Sequence, residues 1–408
     1  MTAPEPGSLR VARRNDDIQP FHVMALLARA RELEAQGRDI VHMEIGEPDF
    51  ATPEPVMQAA RAALSLPSGP PAGGGAEVTH YTPALGLPAL REALAAWYRD
   101  RFGVRVDAAR IVITPGASGA LLLLTGLLVD RDQQVLMADP GYPCNRHFVR
   151  FVEGRAGLIP VGPDTGYQLD ARLLAAHWGS DTVAALVATP SNPTGTLIDP
   201  AELAAMASFA RAQGGYLLVD EIYQALVYGR EPASVLSVSD EVFVLNSFSK
   251  YFSMTGWRLG WLVAPPEAVP ALDRLAQNLF LAASTPAQYA ALAALGPQSR
   301  EILEARRKSF ATRRDYLLPV LRELGLAIPV EPQGAFYIYA DCSAWLARTG
   351  LADSMALATA LLENAGVAIT PGDDFGCHRA THHLRFAYTT SLERLRQGVE
   401  RLADFLGA

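Results

Sequence analysis

The sequence predicts an α/β protein, with a larger domain on a mostly parallel central sheet flanked by helices and a smaller α+β domain after it. Two patterns predict this. Between Arg110 and about Ala264, β-rich runs at 111–114, 135–138, 183–188, 216–219, 242–245 and 260–263 alternate with helical segments, the arrangement that builds parallel sheets through helical crossovers. After it, a long charged helical stretch at 287–324 leads to further β-rich runs near 335–339 and 384–388.

Residues 1–17 are polar, lack the apolar centre of a secretory signal and read as a flexible arm. Residues 21–36 carry apolar positions at helical spacing, with Asp17 or Gln19 as starting signal and Gly37 as stop, which predicts an amphipathic helix. A strand at 40–45 follows. Residues 66–76, rich in Pro, Gly and Ser, read as an exposed loop. The longest apolar stretch, 111–129, is broken by Thr114, Pro115, Gly116, Ser118 and Gly119. That leaves about ten uninterrupted positions, too few to span a bilayer, so it reads as strand, loop and buried helix. In 287–324 the run Arg306, Arg307, Lys308, Arg313 and Arg314 reads as a solvated helix face. The expected organisation is an arm and helix at 1–45 joining the small domain, a large domain at 46–295 and a small one at 296–408.

Half of the 408 residues are apolar, enough for two or three compact units. A net charge of −8 argues against nucleic acid as the partner, because phosphate backbones are bound through basic surfaces. Cys144, Cys342 and Cys377 form an odd set without metal or disulfide spacing, so reduced thiols in a cytoplasmic protein are expected, and no metal. The basic side chains are nearly all arginine. Lys250 and Lys308 are the only lysines, so chemistry that needs an amine has two candidates.

Chemistry-bearing residues gather where the β-rich runs end. Thr114-Pro115-Gly116-Ala117-Ser118-Gly119 lies between a strand and an apolar helix. Small residues there either make a plain turn or let backbone N–H groups and the Ser118 hydroxyl approach a phosphate at the helix start. The spacing of a dinucleotide fingerprint is absent. Ser191-Asn192-Pro193-Thr194-Gly195 and Asp139-Pro140-Gly141-Tyr142-Pro143 each satisfy the chemistry of a turn. Asp220, in Asp220-Glu221-Ile222-Tyr223, is either satisfied by backbone N–H groups or held ready for a positive ring nitrogen. Ser247-Phe248-Ser249-Lys250 precedes Gly256-Trp257-Arg258-Leu259-Gly260. Desolvation among its apolar neighbours would lower the pKa of Lys250 and equip it to form a Schiff base and carry a proton.

Taken together and in this order, these motifs resemble the class I and II aminotransferases of the fold-type I pyridoxal-phosphate enzymes, from about Ile45 to Tyr388. The resemblance implies pyridoxal 5'-phosphate as cofactor. Lys250 would form the Schiff base with it and move the proton between the substrate α-carbon and the cofactor. Asp220 would pair with the ring nitrogen and keep it protonated. Asn192 and Tyr223 would hydrogen-bond the phenolic oxygen, and Tyr142 would stack on the ring. Ala117, Ser118, Ser247 and Arg258 would hold the phosphate. Tyr81 would reach the phosphate of a neighbouring subunit, implying a homodimer with shared sites. Arg385 would grip the substrate α-carboxylate through a bidentate pair, with Gly46 against it.

The implied reaction is ping-pong transfer of an amino group from an L-amino acid to a 2-oxo acid. Aspartate-selecting relatives carry an arginine where this chain has Asn278-Leu279-Phe280-Leu281. A neutral, apolar or aromatic donor is therefore expected, with alanine also open. The same scaffold serves β-eliminating carbon–sulfur lyases. A non-catalytic aminotransferase-like regulator would need a DNA-binding unit that the short arm does not supply.

Overall fold

The computed structural model describes residues 11–18, 20–65, 78 and 80–407. The expected loop at 66–76 and the first ten residues of the arm lie outside them. Two sheets organise the chain. The larger contains β2 (Ile111–Thr114), β3 (Gln134–Asp139), β4 (Arg155–Pro160), β5 (Thr182–Ala188), β6 (Tyr216–Asp220), β7 (Phe243–Ser247) and β8 (Gly260–Val263), in the order β2-β8-β7-β6-β5-β3-β4. Only β8 runs against its neighbours β2 and β7, so β2 points the same way as the rest. The smaller sheet has the order β1-β10-β11-β9, from β1 (Val41–Met43), β9 (Tyr337–Asp341), β10 (Val367–Pro371) and β11 (His383–Ala387). β1 pairs in parallel with β10, more than 300 positions away, at Val41–Val367 and Met43–Ile369.

Both faces of the larger sheet are covered. Ile111, Leu136, Ala185 and Val219 enter one apolar cluster, while their strand neighbours Val112, Val135, Ala184 and Leu218 enter another with Leu123 and Leu124 of the helix Gly116–Leu128. Burial on both sides explains why these strands read as nearly continuous apolar runs. β4 and β10 were not expected. β4 buries only Ile159, leaving its other positions exposed or half-buried, and includes Gly157, which weakens its β signal. Val367–Pro371 carries a β-branched pattern between Gly366 and Pro371 that could have revealed it.

The N-terminal helix spans His22–Ala35 as expected, but its start differs. Phe21 occupies the cap position without a side-chain bond. The Asp374 carboxylate instead accepts from the N–H groups of His22 (2.7 Å) and Val23 (2.8 Å). Asp17 ends a separate helical turn, Arg14–Asp17, tied down by its ion pair with Arg150, and Gln19 lies outside the described residues.

The stretch 287–324 also needs correcting. It is two helices, Thr285–Ala294 and Pro297–Glu323, broken at Gly296 because Pro297 cannot donate to the preceding turn. Its arginines are not simply solvated. Arg313 is 5% exposed and makes two 2.9 Å bonds to the Asp49 carboxylate plus one of 2.8 Å to the Thr389 carbonyl. Arg307 bonds Glu304 and the Val227 carbonyl, and Arg314 the Pro332 carbonyl. Lys308 alone of the five is exposed. The three cysteines are free thiols. Among the described residues, no helix is long and apolar enough to cross a membrane, and no cluster of metal-ligating side chains occurs.

Candidate active site

Because β2, β3, β5, β6 and β7 run the same way, their carboxyl ends share one edge of the sheet, where α/β folds place their ligands. A cavity of about 300 Å³ opens there. Gly46, Ala117, Ser118, Tyr142, Asn192, Asp220, Tyr223, Ser247, Lys250, Arg258 and Arg385 all line it. Tyr81 does not. It lies outside the cavity and is 80% exposed.

Lys250 is aimed by its neighbours. Phe248 is fully buried against Phe252 and Trp261, with ring centroids at 4.9 and 5.0 Å, and its backbone N–H bonds the Leu259 carbonyl. That anchor turns the following residues back over the sheet edge. Lys250 Nζ donates to the Gly46 carbonyl at 2.6 Å. Burial, reinforced by the Arg385 charge, lowers its pKa to about 8, which makes the neutral amine far more accessible near neutrality than on an exposed lysine.

Asp220 ends β6 and is oriented by the Ile222 N–H, 2.9 Å from Oδ1. Burial pushes its carboxyl up to about 7, against the opposing effects of that bond and of Lys250. A cationic group placed beside it would reverse that shift and hold the carboxylate charged. Burial likewise raises the phenols of Tyr142 and Tyr223, leaving both as neutral hydroxyls.

Arg385, on β11, is 2% exposed. Nη1 donates to Asn192 Oδ1 at 3.0 Å, and Nη2 to the Glu44 carbonyl and to Thr370 Oγ1. Its guanidinium lies 4.4 Å over the Tyr337 ring and 4.8 Å over that of Phe375. Nε is buried without a hydrogen-bond partner among the described residues, while the side chain lines the cavity.

At the other end, the helix Gly116–Leu128 begins without a side-chain cap. The N–H groups of its first turn have no intrahelical partner and favour an anion. A Cβ on Gly116 would stand 2.8 Å from Arg258 Nη2, and one on Gly260 would stand 2.8 Å from the Ala117 nitrogen. Glycine at both positions lets the guanidinium and strand β8 close on the helix start. Ser247 Oγ accepts from the Ser249 N–H at 3.0 Å and lies 2.9 Å from Ser249 Oγ, so two hydroxyls face the same end.

Several lining residues were not singled out from sequence. Tyr337 shares a buried 2.8 Å hydrogen bond with the Tyr223 hydroxyl, and nothing local distinguishes it from a core aromatic. Ser249 and Thr255 sit inside or beside motifs already quoted, and Glu47, also in the lining, accepts from the Thr255 hydroxyl. Phe21, Val23 and Met24 come from the N-terminal helix.

Comparison with known proteins agrees with this geometry. The family description "Aminotransferase class I and II" matches residues 38–402. A valine–pyruvate aminotransferase of Mycobacterium tuberculosis is 38% identical over 97% of this chain and 98% of its own length. An aspartate/prephenate aminotransferase of Thermus thermophilus is 37% identical over 97% of this chain and 99% of its own. The crystal structure of an aminotransferase from Mycobacterium tuberculosis superposes with a TM-score of 0.90 at 37% identity, covering 98% of this chain and all of that one. With the family match spanning nearly the whole fold and the strand-end residues converging on one cavity, the chain belongs to the class I and II aminotransferases.

Proposed function

We propose that this aminotransferase depends on pyridoxal phosphate and moves the amino group of a neutral, apolar or aromatic L-amino acid to a 2-oxo acid in two ping-pong half-reactions. One observation carries the reading. Lys250, the half-buried one of the two lysines, opens into the same cavity as a buried carboxylate, Asp220, and a buried arginine, Arg385.

The residues present fit the cofactor. The uncapped helix start at Ala117 and Ser118, the Ser247 hydroxyl and the Arg258 guanidinium offer an anion cradle that a Cβ on Gly116 would obstruct. The Asp220 carboxylate would face the ring nitrogen, Asn192 and Tyr223 the phenolic oxygen, and Tyr142 the ring face. When bound, pyridoxal phosphate supplies an aldehyde that condenses with an amine and a ring that takes up the electron pair of the substrate α-carbon.

Lys250 Nζ, whose lowered pKa makes the neutral amine accessible near pH 8, would hold the cofactor's aldehyde and, once free of it, would take and return the α-proton. Asp220, charged, would keep a proton on the ring nitrogen. Arg385 orients the donor by binding its α-carboxylate, with Gly46 and Asn192 alongside. The chain's own cations in the lining are Lys250, Arg258 and Arg385. Each has a place in this scheme, which leaves none for a second substrate carboxylate. Phe21, Val23 and Met24 offer an apolar wall instead. We place the active site between a large domain at 46–295 and a small one at 296–408 joined by 1–45, in a cytoplasmic homodimer to which Tyr81 contributes across the interface.

The test is direct. Single L-amino acids are added to the yellow, cofactor-loaded protein, and every productive donor removes its absorption and releases a 2-oxo acid. Lys250→Ala retains cofactor noncovalently and loses turnover, and borohydride fixes the cofactor on residue 250 of the natural chain only. Full turnover by Lys250→Ala sinks the reading, while pyruvate and ammonia released from cysteine conjugates without an oxo acid make it a lyase.

A further inference from the structure

The apolar wall of the cavity is held by a group far from it in sequence. Phe21, Val23 and Met24 lie at the start of the helix His22–Ala35, whose own cap position offers no side-chain acceptor. The first-turn N–H groups are satisfied by Asp374, 2% exposed, with Oδ1 on His22 and Oδ2 on Val23. A carboxylate at a helix start both accepts these bonds and complements the helix dipole.

The segment that carries Asp374 is itself fixed. A Cβ on Gly372 would stand 2.3 Å from the Ala380 carbonyl, so this turn packs directly on the next. Farther along, the buried Asp139 carboxylate accepts from the N–H groups of Cys377 (3.0 Å) and His378 (3.2 Å), and Gly376 is pressed against the same carboxylate. Between these anchors Phe375 places its ring 4.8 Å from the Arg385 guanidinium, and its carbonyl accepts from the Gly141 N–H beside Tyr142. Residues 372–378 therefore form one rigid bracket that contacts the carboxylate-binding arginine, the turn before Tyr142 and the start of the apolar wall.

We infer that Asp374 is a positioning residue for donor selection: by clamping the first turn of the N-terminal helix to the bracket under Arg385, it fixes the wall against which an apolar donor side chain packs. This rests on the aminotransferase reading of the cavity and deepens it. A donor with a large apolar side chain needs the wall in place, whereas alanine, held through its α-carboxylate and amine, needs it far less.

The experiment compares leucine and alanine as donors for the cofactor-loaded natural protein, Asp374→Ala and Asp374→Asn. It reads apparent donor affinity from loss of the cofactor absorption, kcat at saturation, and amide hydrogen exchange at residues 20–27. In Asp374→Ala, leucine affinity falls about ten-fold or more, the loss expected when one apolar side chain is no longer covered. Alanine affinity and kcat for either donor stay within about three-fold, because Arg385 and Lys250 are untouched. Exchange at His22 and Val23 accelerates. Asp374→Asn, which keeps one acceptor oxygen, falls between, and it decides the matter alone if Asp374→Ala does not fold. Equal losses for leucine and alanine, or unchanged leucine affinity, overturn the inference while the transamination reading stands. A natural protein bleached by neither donor overturns both.

Discussion

Gly46 and Tyr337 are packed so closely that a Cβ on residue 46 would stand 2.0 Å from the Tyr337 hydroxyl and 2.9 Å from its ring carbon Cζ. The same tyrosine bonds Tyr223 and lies under Arg385, and the same glycine's carbonyl takes the Lys250 amine. One close approach thus joins five residues of the candidate site.

Gly46→Ala should therefore act through Tyr337 and not through backbone strain, since Gly46 is not among the residues of positive φ. Overpacking of this kind costs about 1–3 kcal/mol, and displacement of the Tyr223–Tyr337 pair and of the Lys250 acceptor should lower kcat/KM about ten-fold or more. Adding Tyr337→Phe removes the 2.0 Å contact but leaves ring carbon at 2.9 Å, so the double variant should recover part of the lost stability. Urea unfolding of the two single variants and the double variant checks this, and strictly additive losses would count against it.

The stability of the cofactor-free protein should vary with pH in two opposed windows. Asp220 and Glu221 are raised by burial, from 3.8 and 4.5 respectively to about 7. The native state then holds more protons than the unfolded chain, and their contribution is present below about 4 and lost as pH rises to about 7. Lys250 is lowered from 10.5 to about 8, so its contribution is present above 10.5 and lost as pH falls through 8. Denaturant titrations should show stability falling by a few kcal/mol between roughly pH 4 and 7. Asp220→Asn should flatten that slope, and Lys250→Met should remove the alkaline rise. A natural protein with no fall over the acid window would contradict the burial of both carboxyls.

Two members of the long helix's basic run, Lys308 and Arg313, should behave oppositely. Arg313→Ala removes the guanidinium's bonds to the partly exposed Asp49 and to the buried Thr389 carbonyl and should cost about 1–3 kcal/mol. Arg313→Lys should not restore it, because one ammonium cannot make the paired bonds to Asp49 and also reach the Thr389 carbonyl. Lys308→Ala, at an exposed position, should change stability by less than about 0.5 kcal/mol. Thermal unfolding of the three variants orders them, and equal losses at 308 and 313 would refute the distinction.

Short-range pattern made most of the site legible. Continuous apolar runs marked β2, β5, β6 and β8, and the polar residues that follow runs of this sheet, Asn192, Asp220, Ser247 and Lys250, do meet at its edge. Charge was less legible. Arg306 through Arg314 reads as a solvent face because helical spacing says nothing about which carboxylates and carbonyls another segment will bring to Arg313. Tyr337 looks like any core aromatic until β9 sets it beneath Arg385.

What the sequence determined by itself was most of the central strands, the order of the motifs and a choice of two amines, because strand and helix periodicity and turn chemistry act over a few residues. What only the tertiary structure decided was who caps, clamps and buries whom. The pairing of β1 with β10, the capping of the N-terminal helix by Asp374 and the burial of Arg313 against Asp49 join residues more than 250 positions apart. Such contacts satisfy buried polar groups wherever the folded chain happens to bring an acceptor, and no local pattern encodes that partner.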